Sequence, residues 1–320
     1  MSLDSLIRKY ALQNAVFFDG KANVKSVVGK VLAEDKSLRS KAKDVTAQAE
    51  KIVAEVNTLT LEQQTEELET IDPELLEKHK VERDMSLPDL PNVKGDVVMR
   101  LAPYPSGPLH IGNARMVLLN DEYVKRHDGK LLLVYDDTIG SEEKLPTAEA
   151  YDYIREGLDW LGVECHETYY KSDRMDLFYE WGERLLREGH AYVCECSSED
   201  LRSFRNEEKE CAHRGASVEE NLKNWKKMLE GKYGEGEAIV RIKTDMQHPN
   251  PAFRDRVLLR ISQREHPRVK GKYRVWPMLE LSWAVDDYEL GITHVLRGKE
   301  LVMEDLMEKW IWDSLGLEGP

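Results

Sequence analysis

A chain of 320 residues exceeds the usual single-domain length, so two or three domains are expected. Its 41% hydrophobic content can fill real cores, and no run of eighteen apolar residues exists, which excludes a transmembrane helix and any membrane partner built on one. The formal net charge of −14 opposes a protein-wide affinity for nucleic acid, yet local density decides such contacts, because screening limits their reach to about 10 Å in ordinary salt.

The N-terminal stretch MSLDSLIRKYALQNAVFF has no separate apolar core followed by a small-residue cleavage site, so no signal peptide is expected. Four cysteines in so long a chain do not make a secreted disulfide framework, which points to a reducing, cytoplasmic location. Residues 3 to about 57 read as helices. Leu38, Ala42, Val45, Ala49, Ile52 and Val56 recur at three- and four-residue steps and share a face. From 58 to 95 the chain turns acidic (Glu62, Glu66, Glu67, Glu69, Asp72, Glu74, Glu77) and ends in SLPDLPNVKGD, a Pro/Gly/Asp-marked boundary.

Beyond it VVMRL (97–101) reads as a strand, 109–127 as a helix and KLLLVYDD (130–137) as a second strand. A helix follows over about 146–161. Another lies between Ser172, its N-cap candidate, and Gly189. Strand–helix alternation with short connections predicts βαβ units in a doubly wound parallel sheet. Residues 190–285 break the rhythm. They mix the strands EAIVRIKT and RVLLRIS with helices opened by Ser197-x-x-Asp200 and Ser217-x-x-Glu220, both shaped like capping boxes. The rhythm is expected to resume with GITHVLRG (291–298) and a helix from near Glu300. The expected division is therefore an all-α domain and acidic linker over 1–94, a nucleotide-binding α/β domain over 95–189 and 286–320, and an α+β insertion over 190–285.

Two constellations carry chemistry. APYPSGPLHIGNARM (102–116) places rigid prolines, Gly107 and Gly112 between a strand end and a helix start, where free N–H groups and the macrodipole favour an anion. His110 could donate there to a phosphate that gains charge, although a lone histidine beside a helix start is more often structural. Cys194-x-Cys196 and Cys211-x-His213 are two soft ligand pairs separated by a fourteen-residue loop, a pattern that suits a structural tetrahedral Zn²⁺ as well as ordinary buried cysteines.

PLHIGNAR resembles the HIGH signature of class I aminoacyl-tRNA synthetases, and RLAPYPSGPLHIGNAR resembles their glutamyl/glutaminyl branch, in its archaeal glutamyl form. LLLVYDDT, LDWLGV, HAYVCEC, the block 217–245, KYRVWP and VDDYELGITHVLRGKE agree in order and spacing over about 95–316. The resemblance implies a Rossmann-like catalytic domain split by an acceptor-stem-binding insertion that carries zinc. Glutamate, ATP with Mg²⁺ and the acceptor arm of tRNA(Glu) are its implied ligands. It implies ATP contacts at Pro103, Ser106, Gly107, His110, Gly112 and Asn113, with His110 and Asn113 in the two histidine positions of the signature. Arg100 and Arg297 match arginines that bind the amino-acid carboxylates, and Asp136 matches the residue that holds the α-amino group.

Some positions depart from the family pattern. Tyr104 stands between the prolines, Leu279 replaces a pocket tyrosine, Val134 replaces an arginine, and Asp137-Thr138-Ile139-Gly140 replaces Asp-Thr-Asp-Pro. One expectation is that Tyr104 takes over the hydrogen bond lost at Leu279; the other is drift in the pocket. Between Arg254 and Arg274 the chain is strongly basic, and Arg254, Arg256, Arg260 and Arg264 are the candidate tRNA contacts. No KMSKS-type loop precedes Pro320, so the sequence is expected to be the N-terminal portion of a longer enzyme, inactive alone. A glutaminyl enzyme, a tRNA-base-modifying paralogue and a non-catalytic RNA-binding module remain alternatives. No partner of the N-terminal helices can be named.

Overall fold

The structure is a computed structural model that describes residues 2–76, 86–140 and 145–320. It divides into two compact units, Met1–Pro88 and Asp89–Pro320. Among the described residues no helix is long and apolar enough to cross a membrane.

The first unit contains helices α1 (Leu3–Phe17), α2 (Val24–Glu34), α3 (Ala42–Val56) and α4 (Leu61–Ile71). Val45, Ala49, Val53 and Val56 of α3 meet Ile7, Ala11, Leu12, Val27 and Val31 in one core. Leu38 lies in a 3₁₀ turn, Lys36–Lys41, ahead of α3, and still packs on that core. The acidic segment is not all linker. Residues 61–71 are helical because Thr60 and Gln63 form a capping box and Leu68 anchors the inner face. Its glutamates hide the apolar period without abolishing it, and Glu67 forms an ion pair with Arg8. Buried Gln64 donates to the carbonyls of Val56 (2.8 Å) and Gly20 (3.0 Å), which ties α4 to the end of α3. Glu77 and the linker residues 78–85 lie outside the described residues.

In the second unit β1 (Val98–Leu101), β2 (Lys130–Tyr135) and β3 (Glu167–Tyr170) form a parallel sheet in the order β1-β2-β3. Met99 is in register with Leu131, and Leu132 with Glu167. Helices α5 (Ile111–Arg126) and α6 (Ala148–Trp160) make the connections. Gly129 is obligatory at the entry to β2, because a Cβ there would lie 2.3 Å from the Val97 carbonyl oxygen. Among the described residues this sheet has three strands, all parallel, in keeping with the expected α/β nucleotide-binding fold. GITHVLRG forms no strand. Thr293 N–H donates to the Val98 carbonyl (2.9 Å) and Val98 N–H to Thr293 Oγ1 (2.9 Å), so the segment touches the β1 edge without a ladder.

After α7 (Met175–Arg187), β4 (Ala191–Cys194), β5 (Ile239–Ile242), β6 (Val257–Ile261) and β7 (Val275–Pro277) pair antiparallel in that order. Helices α8 (Ser198–Asn206) and α9 (Val218–Leu229) lie between β4 and β5; Ser197 and Ser217 cap them by accepting the Asp200 and Glu220 N–H groups. Ser172 is not the cap of α7. Its N–H and Oγ both bond Asp137, and α7 begins at Met175 with Arg174 as an N-cap whose side chain makes no capping hydrogen bond. The main core joins Phe178, Trp225, Leu259, Trp276 and Leu281 to residues of α10 (Leu279–Glu289) and α11 (Val302–Ser314).

Helix α10 is buried at every position from 280 to 287 although that stretch carries three acids. Arginines from elsewhere balance them: Glu280 with Arg256, Asp286 with Arg174 and Asp287 with Arg100. A carboxylate survives inside a protein only when paired in this way.

Candidate active site and metal centre

The proline turn is held by its carbonyls. Pro103 accepts from Asp136 N–H (3.0 Å) and Pro105 from Thr147 N–H (2.9 Å), while Ser106 N–H donates to the Tyr104 carbonyl. His110 is the N-cap of α5. Its Nδ1 accepts the Gly112 N–H (3.0 Å) and its own N–H donates to Asn113 Oδ1 (3.1 Å), a capping box built from the two signature residues. Because Nδ1 accepts, the neutral ring carries its proton on Nε2, aimed away from the cap. Gly112 is required by the histidine itself, since a Cβ there would lie 2.8 Å from His110 Cε1, whereas Gly107 faces open space. The exposed start of α5 thus offers N–H groups, an imidazole donor and the positive end of a dipole.

Beside it lies a cavity of about 210 Å³ lined by Arg100, Pro103, Asn113, Asn120, Trp283 and Arg297 together with apolar side chains. Arg100, 6% exposed, makes a bidentate pair with Asp287, with Nη2 to Oδ2 at 2.7 Å. Burial works against its charge, but Asp287 more than compensates and raises its pKa. Arg297 is held by Asp305 and Glu308, the latter at 2.8 and 2.9 Å. The Trp283 ring faces three cations: Arg297 at 4.8 Å, Lys171 at 5.2 Å and Arg100 at 5.3 Å.

Lys171 is fully buried. Its Nζ donates to Ser282 Oγ (2.8 Å) and stands 2.9 Å from Asp136 Oδ1. The direction is poor, and Asp136 Oδ1 accepts no hydrogen bond from the described residues, so the contact is one of charge. Burial, then Asp136 and Asp137, pushes the half-buried Tyr104 phenol up to about 12. Asp137 itself is structural, accepting from Ser172 and the Tyr151 hydroxyl (2.9 Å), while its carbonyl takes the His266 Nε2 proton (2.7 Å). Leu279 opens α10 half-buried.

Glu308 provides a pH test. Burial pushes its carboxyl up to about 7, against the pull of Arg297, from an ordinary value of 4.5. Between those values the folded chain holds the extra proton, so this group's contribution to stability falls as pH rises. Relative to Glu308→Gln, the parent should lose about 3 kcal/mol from pH 4.5 to 8. Urea titrations of both proteins at the two pH values measure this. A constant difference would contradict it.

The four metal candidates converge. Cys194 ends β4, Cys196 follows it, and Cys211 and His213 flank the start of a 3₁₀ turn, Ala212–Gly215. Their ligand atoms all lie within 4.8 Å of one another. Cys194 Sγ is 3.8 Å from Cys211 Sγ, and His213 Nδ1 is 3.3 Å from Cys196 Sγ. Two sulfurs on a tetrahedral zinc at about 2.3 Å stand roughly 3.8 Å apart, so the donor set fits. Buried Arg241 places Nη1 3.9 and 3.8 Å from the Cys194 and Cys211 sulfurs. The Cys194 hydrogen bond, aided by Tyr192 and Arg241, holds Cys211 toward the thiolate.

The basic stretch is not one surface. Arg254 is 3% exposed and donates to the carbonyls of His248 and Arg205 and to Glu208, which removes it from the phosphate contacts expected of it. Arg256 is likewise committed, to Glu280 and Glu304. Arg260 and Arg264 remain half-buried, and Arg268 lies 3.6 Å over the Tyr170 ring. Residue patterns also missed Lys171, Trp283, Asp287 and Glu308 as parts of the site. The one available signal was the Asp286-Asp287 pair within an apolar helical block; nothing near Lys171 announced its partner.

Residues 96–320 match the family described as tRNA synthetases class I (E and Q), catalytic domain. The whole chain is 47% identical to a glutamate–tRNA ligase of Pyrococcus furiosus and 48% identical to one of Methanothermobacter marburgensis, covering 57% of each. It therefore spans little more than half the length of these relatives. A crystal structure of a glutamate–tRNA synthetase from Elizabethkingia anophelis shares the fold at TM-score 0.52 and 24% identity, over 71% of this chain and 49% of that one. The chain belongs to the class I tRNA synthetases of the glutamate and glutamine branch.

Proposed function

We propose that the whole protein joins glutamate to tRNA in two steps. A glutamate α-carboxylate oxygen attacks the α-phosphorus of ATP, giving glutamyl-adenylate and releasing pyrophosphate. The terminal ribose hydroxyl of the tRNA then takes the acyl group and AMP leaves. The observation that carries this reading is a cavity walled by Arg100 and Arg297 and opening beside the N-terminus of α5. Arginine forks suit the two carboxylates of glutamate, and the helix start suits the phosphates.

His110 Nε2–H, the Asn113 amide and the first N–H groups of α5 hold the charge that develops on the phosphates, with Pro103, Ser106, Gly107 and Gly112 shaping the floor. Mg²⁺, when bound with ATP, neutralises phosphate charge. Cys194, Cys196, Cys211 and His213 hold a structural zinc that fastens the α8 segment to β4. Arg260 and Arg264 remain the candidates for the acceptor arm of tRNA(Glu), and the insertion 190–285 for its platform between the catalytic halves 95–189 and 286–320. The helices up to Ile71 belong to a separate domain, for which the expected limit of 94 gives way to the unit boundary at Pro88. Three of the four thiols are grouped as ligands and none forms a disulfide, which fits work in the cytoplasm.

Glutamyl-sulfamoyl-adenosine, a stable mimic of the adenylate, tests this on the 320-residue chain by calorimetry. It should bind at least tenfold tighter than the glutaminyl compound, and His110→Ala should weaken it at least tenfold. No binding, or preference for the glutaminyl compound, would refute the reading. In the same assay Tyr104→Phe and Tyr104→Ala test the pocket: affinities equal to the parent's in both would remove Tyr104 from recognition.

A further inference from the structure

Among the described residues, the side chains that accept from Arg241 are two cysteine sulfurs. Arg241 stands on β5 in register with Tyr192 of β4, and Cys194 lies two residues further along β4. Strand alternation therefore puts the three side chains on one face of the sheet. Arg241 is 1% exposed, and its Nε is fixed by donating to the Asp255 carbonyl (2.8 Å). Nη1 meets the Cys194 and Cys211 sulfurs at 3.9 and 3.8 Å, while Nη2 is buried with no hydrogen-bond partner among the described residues. The carboxylates nearby are engaged by other arginines: Asp255 by Arg214, Glu208 by Arg254, and Glu280 and Glu304 by Arg256. Half-buried Arg205 adds a like charge beside Arg241. Three thiolates, a neutral imidazole and a zinc ion sum to one negative charge. A buried charge of either sign is costly alone and stable when paired. The loaded cluster and the guanidinium are therefore complementary, whereas a centre of only two thiolates would be neutral and leave Arg241 unmatched.

We propose that Arg241 is the counter-charge of the metal centre, so that the site is built for a divalent ion held by three thiolates and loses metal affinity when the guanidinium is removed. The inference rests on the zinc reading given above. It gives β5 a part in a site whose ligands all precede that strand in the chain.

The test measures zinc affinity of the 320-residue chain at one pH, by competition with a chromophoric chelator. Arg241→Met should weaken binding at least tenfold, the size expected when a group just outside the ligands is lost. Arg241→Gln, which is polar, replaces it should the methionine variant not fold. Cys196→His converts the donor set to two thiolates and two imidazoles and makes the loaded centre neutral. In the parent this strands Arg241; in the Arg241→Met background it removes an unmatched negative charge. The affinity lost through Cys196→His should therefore be at least tenfold smaller in that background. An arginine that merely packs would give the same loss in both. Losses that differ by less than tenfold, or an Arg241→Met effect below tenfold, overturn the proposal and leave the zinc reading intact. A parent that binds no zinc refutes that reading and this inference with it.

Discussion

Asp287→Ala is expected to lower the stability of the Asp89–Pro320 unit by about 3–5 kcal/mol, because it leaves the Arg100 guanidinium buried without its bidentate partner. All seven tryptophans, from Trp160 to Trp312, lie in that unit, so their fluorescence in a urea titration reports on it alone. Arg100→Met combined with Asp287→Leu removes both charges and should recover most of the loss, since an apolar pair of similar size needs no counter-charge. The double variant should fold yet fail to bind the adenylate mimic. Stability and recognition are thereby separated at one pair. If Asp287→Ala melts within about 1 kcal/mol of the parent, the pair does not hold the site as described.

Cys211→Ser should produce the second large effect. Purified without chelators, the parent should carry about one zinc per chain and the variant almost none, as read by elemental analysis. The same variant should lose about 4 kcal/mol or more, since loss of a structural metal is among the few single changes that reach this size. Fluorescence of Trp225, which is buried in the core reached from α9, should report the loosening. Zinc-free parent protein of unchanged stability would refute the structural role.

The two effects differ in how visible they were in the sequence. The metal cluster was legible because each ligand pair is local, and the loop between the pairs closes on a strand end. Strand–helix alternation from 97 to 161 was legible for the same reason: its period lies within a few residues. Helix α4 was obscured, since seven acids over 62–77 outweigh an apolar period carried mainly by Leu61, Leu68 and Ile71. The basic stretch misled in the opposite sense. Arg254 follows the 3₁₀ turn Pro251–Phe253 into the interior, whereas Arg256 turns toward Glu280 and Glu304, so neighbours in sequence serve different places. GITHVLRG had the composition of a strand but, among the described residues, hydrogen-bonds the β1 edge only at Val98. Pairings such as Lys171 with Ser282, 111 residues apart, leave no periodic trace in either segment.

The pair that closes the site also sets an order of events during synthesis. Arg100 and Asp287 are 187 residues apart. At about 5–20 residues per second a ribosome takes roughly 10–40 s to travel that distance. The helices of the first unit are contiguous and can assemble in that interval, but β1 must wait with its arginine unbalanced until α10 emerges. The parallel sheet is begun first, and the cavity beside it is completed only once α10 has emerged.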